Sequence, residues 1–279
     1  MKISILGYGT FGGALGSHLV LKGHKIIKEK IEVDTEVVIV AVPSYAVTDV
    51  LIAHKDEINT QKIIICSKGF DKSGDLFSNI LEKEFPNNQI YFLYGPTLAD
   101  ELESGVLSVF VLAGGEGREK LKKEIESEKI RIVLSSDVIG VQVSAALKNT
   151  VGIFLGIIEG AGMGQNTQGF IYSMGLQQIR NIGVSLGANP DTFLGFACAG
   201  DLFVKSRSRN IGVEIGRGKD PKKLLDEITF PKEGINSLEN ILKMESRIKT
   251  DIFFFKIINS VIFGELTAED GVRKIAEMI

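Results

Sequence analysis

Between Val138 and Met163 the chain reads VIGVQVSAALKNTVGIFLGIIEGAGM, and only Lys148 and Glu159 carry charge in that stretch. A run this long and apolar must be buried, either in lipid or at the centre of a large core. Gln142, Lys148, Asn149 and five glycines interrupt it and no basic flank orients it, so a buried helix through a globular unit is the expected form. A buried ammonium is costly unless something pairs with it or its proton is used in chemistry. Glu159 lies about three turns further on, on the same face but roughly 16 Å away. Lys148 therefore needs partners from elsewhere in the chain.

With 279 residues, 44% of them hydrophobic, the chain can bury one large core or two moderate ones. Its net charge of −3 argues against a general nucleic-acid binder. Cys66 and Cys198 both lie in apolar surroundings and are expected as buried free thiols in a reducing compartment. His18, His24 and His54 show no ligand spacing, so no metal is assigned. The first twenty residues loosely imitate a signal peptide, but Tyr8-Gly9-Thr10 splits a short apolar run. A cytoplasmic strand–turn–helix with no integral membrane segment is the expectation.

That opening is itself informative. Ile3–Leu6 is a β-rich run, followed by Gly7-Tyr8-Gly9-Thr10-Phe11-Gly12 and a helical pattern to Lys22. The spacing is G-x-G-x-x-G, with glycines for a tight turn and a helix N-terminus to meet a pyrophosphate. A second strand near Lys28 and runs at Val37–Val42, Lys62–Ser67, Ile90–Leu93 and Ser108–Ala113 alternate with helical segments near 46–57, 74–84 and 116–128. That alternation predicts α/β architecture: a Rossmann-like, doubly wound parallel sheet over residues 1–136. Pro43, Lys68-Gly69 and Gly95-Pro96 follow strand ends, where such sheets bind ligands.

The sheet is expected to be trimmed. Only eight residues separate Lys28 from Val37, whereas a parallel crossover with its helix needs about ten to twelve. Glu29 falls about where a ribose-binding acid would stand, flanked by Lys28 and Lys30; a solvated charged turn explains the same three residues.

After Ser135-Ser136-Asp137, a plausible helix cap, strand-like runs stop. Residues 137–279 are expected to form an all-α substrate domain, with helices from Ile171 to Leu186, Thr192 to Asp201 and Asp251 to Phe263. Lys205, Arg207 and Arg209 place three cations within five residues of an acidic protein, which suits an oxyanion site or a solvated basic loop.

These segments together resemble the NAD(P)-dependent glycerol-3-phosphate dehydrogenases. The likeness rests on GVQVSAALKNTVGIFLGIIEGAGMGQNTQG, AGDL at 199–202 and SRN at 208–210, supported by SKG at 67–69, YGPTLADEL at 94–102 and KEG at 232–234. The resemblance implies an NAD(P)H-linked oxidoreductase of glycerophospholipid metabolism that interconverts glycerol 3-phosphate and dihydroxyacetone phosphate. It implies Lys148 as the proton donor or acceptor at the C2 oxygen, Asp201 as the group orienting it, and Lys68 beside substrate and nicotinamide. The Lys68 charge is expected to bear on the proton affinity of Lys148. It further implies substrate contacts from Gly95, Thr97 and Asn149, and a phosphate clamp of Ser208, Arg209 and Asn210. Gly7, Gly9, Thr10, Phe11, Gly12, Lys68, Ala99, Arg209 and Glu233 would meet the cofactor, NADH or NADPH. A small phosphorylated substrate is the expected partner, and a homodimer the expected assembly.

Three departures stand out. The segment before the AVPS strand end at 41–44 lacks the family's arginine-bearing turn near the adenosine. The loop from Asp201 to Ser208 is short and places Lys205 where a threonine is expected. Ile211 replaces a basic residue. A working site with weakened or unusual adenosine recognition is the expectation. Two other classes stay open: a catalytically degenerate protein that binds a phosphate ester or nucleotide, and a dehydrogenase of another small hydroxy compound.

Overall fold

The structure is a computed structural model that describes residues 1–279. The runs V-V-I-V at Val37–Val40 and I-I-I at 63–65 are wholly buried, as strands covered on both faces must be. In chain order the first half comprises β1 (Lys2–Leu6), α1 (Thr10–Leu21), β2 (Lys25–Lys28), β3 (Val37–Val40), α2 (Val47–Ala53) and β4 (Lys62–Ile65). It continues with α3 (Phe77–Glu84), β5 (Ile90–Tyr94), α4 (Ala99–Glu103), β6 (Ser108–Gly114), α5 (Arg118–Ile125) and β7 (Ile130–Ser135). The seven strands form one sheet in the order β2-β1-β3-β4-β5-β6-β7. Leu15, Leu19, Leu102, Leu121 and Ile125 from α1, α4 and α5 cover one face. Val47, Leu51, Phe77 and Leu81 from α2 and α3 cover the other.

Two expectations about the sheet are corrected. It is not wholly parallel, because β5 and β6 pair antiparallel, with Tyr91 opposite Gly114 and Tyr94 opposite Val111. The helix linking them, α4, has five residues and rises only about 8 Å, too short to carry the chain back along the sheet. β7 was also not among the expected strands. It lies at the sheet edge with Ile130 and Ile132 buried and Arg131 and Val133 exposed, a half-buried alternation that an apolar run does not announce.

The eight-residue link is explained by topology. β2 and β3 are not neighbours; they flank β1 on opposite sides. The backbone N–H of Glu29 donates to the Ile5 carbonyl and that of Glu36 to the Lys2 carbonyl, so the link returns along β1 with no helix. Chain direction across the sheet reverses between β1 and β3, where the Gly7 turn lies against the Ala41–Val42 backbone. A crevice at such a reversal is the usual ligand site of an open α/β sheet.

The second half is helical: α6 (Val138–Gly160), α7 (Gly164–Ser185), α8 (Asp201–Phe203), α9 (Arg207–Gly216), α10 (Pro221–Glu227), α11 (Glu233–Lys243), α12 (Phe253–Ile262) and α13 (Ala268–Ala276). Asp137 caps α6, its carboxylate accepting from the Gly140 N–H at 2.9 Å. α6 is long and apolar enough to cross a membrane by length and composition alone, but its apolar window is buried inside the protein. Val141 and Ala145 pack on the sheet, and Val143 through Ile158 join the helical core.

The glycines of α6 have a purpose beyond interrupting an apolar run. A Cβ added at Gly156 or Gly160 would stand 2.1 or 2.2 Å from the carbonyl oxygen of Arg209 or Val213 on α9. At Gly212 or Gly216 it would stand 1.9 or 2.1 Å from those of Ile153 or Ile157 on α6. The two helices thus cross with their main chains in contact, which no larger residue permits.

Candidate active site

Three chain segments converge below the sheet's carboxyl ends. β4 delivers Lys68, the turn after β5 delivers Gly95, and α6 delivers Lys148. The partner sought for Lys148 is Asp201, whose side chain is 1% exposed. Its Oδ1 accepts from Lys148 Nζ at 2.9 Å, and its Oδ2 from Lys68 Nζ at 2.6 Å. Lys68 also donates to the Gly95 carbonyl at 2.9 Å, and the Thr97 hydroxyl to the same oxygen at 3.3 Å. One buried carboxylate therefore spans two ammonium groups. Burial is the main force drawing Lys68 down to about 8; Lys148 adds to the effect, and Asp201 opposes it.

The approach to Asp201 differs from the expected helix over Thr192–Asp201. A 3₁₀ turn at Pro190–Leu194 leads to a π-helical turn at Phe196–Gly200, and α8 then begins at Asp201. Gly195, extended at ψ −168°, breaks the helical periodicity between the two. A π turn is costly and recurs at functional sites because the wider spacing re-aims a side chain. Here the Tyr172 hydroxyl ties it down by donating to the Ala199 carbonyl at 2.6 Å.

The expected basic cluster is split. Arg209 is buried, its Nε donating to Glu159 Oε2 at 2.9 Å and an Nη to Gln168 Oε1 at 2.8 Å. Lys205 meets the other Glu159 oxygen at 2.8 Å. Lys205 and then Arg209 hold the Glu159 carboxyl below its ordinary range. Arg207 turns away, its guanidinium 5.6 Å from the Phe230 ring, because successive helical residues face different sides. Ser208 is half-buried and Asn210 exposed on α9, and the Asn149 amide oxygen accepts from the Ser206 hydroxyl at 3.3 Å. Neither Glu159 nor Gln168 was given a site role from the sequence; Glu159's place on the Lys148 face was the available signal.

Gly7 and Gly9 lie in the turn between β1 and α1, and Thr10, Phe11 and Gly12 form the first turn of α1. Gly7 has φ +90°, and a Cβ at Gly12 would stand 2.1 Å from the Gly7 carbonyl oxygen, so both must be glycine. A Cβ at Gly9 would meet nothing within 4 Å, and Gly9 offers α1 no side-chain cap. Open space thus lies before uncapped amides at a helix N-terminus, the cradle a pyrophosphate needs. Phe11 packs edge-on against Phe110, centroids 6.2 Å apart, and the backbone of Val109–Phe110 abuts Gly95. Ala99 opens α4, which packs on α1.

Glu233 begins α11 and reaches back to the sheet. Its carboxylate accepts from the Ser44 N–H at 2.9 Å and from the Ser44 hydroxyl, close beside Gly69. Burial raises its carboxyl above the ordinary range, with Ser44 opposing. Ser44 is a third residue that sequence reasoning left unassigned. The Thr150 hydroxyl anchors α11 to α6 through the Gly234 carbonyl at 2.6 Å.

Comparison with known proteins agrees with this geometry. Residues 27–119 match the model of the NAD-dependent glycerol-3-phosphate dehydrogenase N-terminus, and 137–273 that of its C-terminus. A glycerol-3-phosphate dehydrogenase [NAD(P)+] of Thermoanaerobacter sp. (strain X514) is 31% identical, covering 94% of this chain and 93% of its own. The corresponding protein of Leptospira biflexa is 30% identical over 98% of this chain and 96% of its own. The Thermoanaerobacter alignment runs over 306 positions, more than the 279 residues present, so this chain lacks segments that its relative carries. The crystal structure of glycerol-3-phosphate dehydrogenase from Coxiella burnetii superposes with a TM-score of 0.92 at 22% identity, covering 99% of this chain and 98% of that one. The chain belongs to the NAD-dependent glycerol-3-phosphate dehydrogenase family.

Proposed function

We propose that the protein interconverts sn-glycerol 3-phosphate and dihydroxyacetone phosphate with NAD(P)H, using residues 1–136 for the dinucleotide and 137–279 for the substrate. The observation that carries this reading is the buried Lys68–Asp201–Lys148 cluster. A bound nicotinamide would supply or accept the hydride at the substrate's C2 carbon. The chain's own work is proton transfer and positioning. Lys148 gives a proton to the C2 oxygen as the ketone is reduced and takes it back in reverse. Asp201 fixes the ammonium of Lys148. Lys68 holds the other carboxylate oxygen, and Gly95, Thr97 and Asn149 line the substrate's path. Arg209, Ser208 and Asn210 bind the phosphate, with Arg209 exchanging Glu159 for it. Gly7 to Gly12, Ala99 and Glu233 receive the dinucleotide. A cytoplasmic location completes the reading, supported by two free buried thiols, and a homodimer is the proposed assembly.

The test is loss of reduced-nicotinamide absorbance on adding dihydroxyacetone phosphate, in parallel with NADH and NADPH. Absence of turnover above that of a Lys148→Met control would leave a binding protein instead. Two further results are expected. Arg209→Ala raises KM for dihydroxyacetone phosphate by about 10- to 100-fold, the worth of a hydrogen bond to a charged group, with a smaller change in kcat; an unchanged KM excludes the clamp. Lys68 is charged below about 8 and loses its proton as pH rises, so KM for the anionic substrate is flat at lower pH and climbs above that point. Lys68→Arg, permanently charged, flattens the climb; an identical profile in the variant removes Lys68 from the explanation.

A further inference from the structure

α7 supplies none of the reacting groups, yet two of its residues brace them. Gln168 accepts from Arg209 at 2.8 Å. Tyr172, one helical turn further along the same face, donates to the Ala199 carbonyl at 2.6 Å. That second bond is the one hydrogen bond joining the backbone of residues 196–200 to a distant segment. Little else fixes this turn. Phe196 is exposed, and Ala197 and Cys198 bury only small side chains. Gly200 has no side chain, and a Cβ added there would come no closer to Pro96 than 3.7 Å. α8, which follows, has three residues and no side-chain cap, so it cannot set its own direction. Leu202 seats the far side of Asp201 in the helical core; the near side hangs on Tyr172.

Asp201 is where accuracy is needed. Its carboxylate meets Lys148 at 2.9 Å and Lys68 at 2.6 Å, so a rotation that favours one ammonium abandons the other. The turn just before it has the wider π spacing, and relaxation to ordinary helical spacing would rotate Asp201 about the axis. Tyr172 stays a donor at neutral pH. Burial, and then Cys198, raise its hydroxyl above the ordinary range.

We propose that Tyr172 is a positioning residue: by holding the Ala199 carbonyl it keeps the π turn wound and aims the Asp201 carboxylate at both Lys68 and Lys148. Its effect on turnover rests on the dehydrogenase reading above, and a titration of the resting protein separates the two. The titratable groups facing Lys68 are Asp201, Lys148 and Cys66. Asp201 opposes the depression of Lys68, so a carboxylate that drifts away lets Lys68 fall below about 8. Tyr172→Phe removes the hydroxyl and keeps the ring packed on the helical core. In the full chain, isotope-labelled at lysine Cε, the Lys68 resonance is assigned by its loss in Lys68→Arg and followed against pH by NMR. In Tyr172→Phe its midpoint is expected to fall by about half a pH unit. The kcat for dihydroxyacetone phosphate reduction should fall about tenfold, with KM for the dinucleotide and the melting temperature little changed. An unmoved or raised midpoint in the folded variant overturns the role even where kcat falls, because a loosened core lowers turnover without shifting Lys68. A wild type that shows no turnover, beside a variant whose midpoint falls, would refute the dehydrogenase reading and leave the aiming of Asp201 standing.

Discussion

Lys148→Met is expected to lower kcat by about 10²- to 10⁴-fold, the usual worth of a positioned proton donor, while the protein stays folded and binds dinucleotide as before. Methionine matches the length and volume of the lysine stem in a site where that stem is 5% exposed, so no cavity opens. Asp201 keeps Lys68 as its partner, so no buried carboxylate is stranded. Removing an ammonium from an apolar helix also relieves a desolvation penalty, so melting temperature should hold or rise. Turnover within tenfold of the wild type, measured alongside dinucleotide affinity and thermal melting, would dismiss Lys148 as the proton donor.

Asp201→Asn is expected to show the reverse pattern, with stability falling as well as activity. The carboxylate is the one acidic side chain paired with either Lys68 or Lys148. Breaking a buried pair by deleting one partner costs about 3–5 kcal/mol, since the remaining charge is uncompensated. Lys68 already sits at about 8 against an ordinary 10.5. A lysine depressed in the folded state penalises folding while it is protonated, and the penalty fades as pH rises towards its unfolded value. Without Asp201, which opposes the depression, the variant's Lys68 sits below the wild type's value of about 8, so the deficit of Asp201→Asn in urea unfolding should be largest at and below neutrality and shrink as pH rises towards about 8. Adding Lys148→Met should restore part of it, a non-additivity expected of groups in contact. A single variant within about 1 kcal/mol of the wild type would show that the carboxylate is not what balances the lysines.

Much of the site was legible because its chemistry clashes with its surroundings. A lone lysine in VSAALKNTVG, an aspartate after Ala-Gly, and glycines between a strand and a helix each demand an explanation from sequence alone. The parts that were not legible depend on direction or on partners far along the chain. Nothing in Ser108–Gly114 marks its antiparallel pairing, because a strand buried among neighbours has the same composition in either direction. The π turn before Asp201 depends on tertiary contacts such as the Tyr172 hydroxyl, twenty-seven residues away. Glu159 looked like a partnerless charge until the fold brought Arg209 and Lys205 to it from fifty and forty-six residues further on. Ser44 acquires its importance only through Glu233, 189 residues later.

The main-chain crossing of α6 and α9 sets a length. Lys148 and Arg209 sit on two rods locked together at four glycines, so their separation is a property of backbone geometry and not of side-chain packing. Side chains in a core can repack; two touching peptide backbones cannot approach further. On the roles proposed above for Lys148 and Arg209, the two helices act as a calliper whose jaws are anchored at a fixed backbone spacing, and a substrate with one more or one fewer carbon between its reacting oxygen and its anionic tail is expected to fit less well.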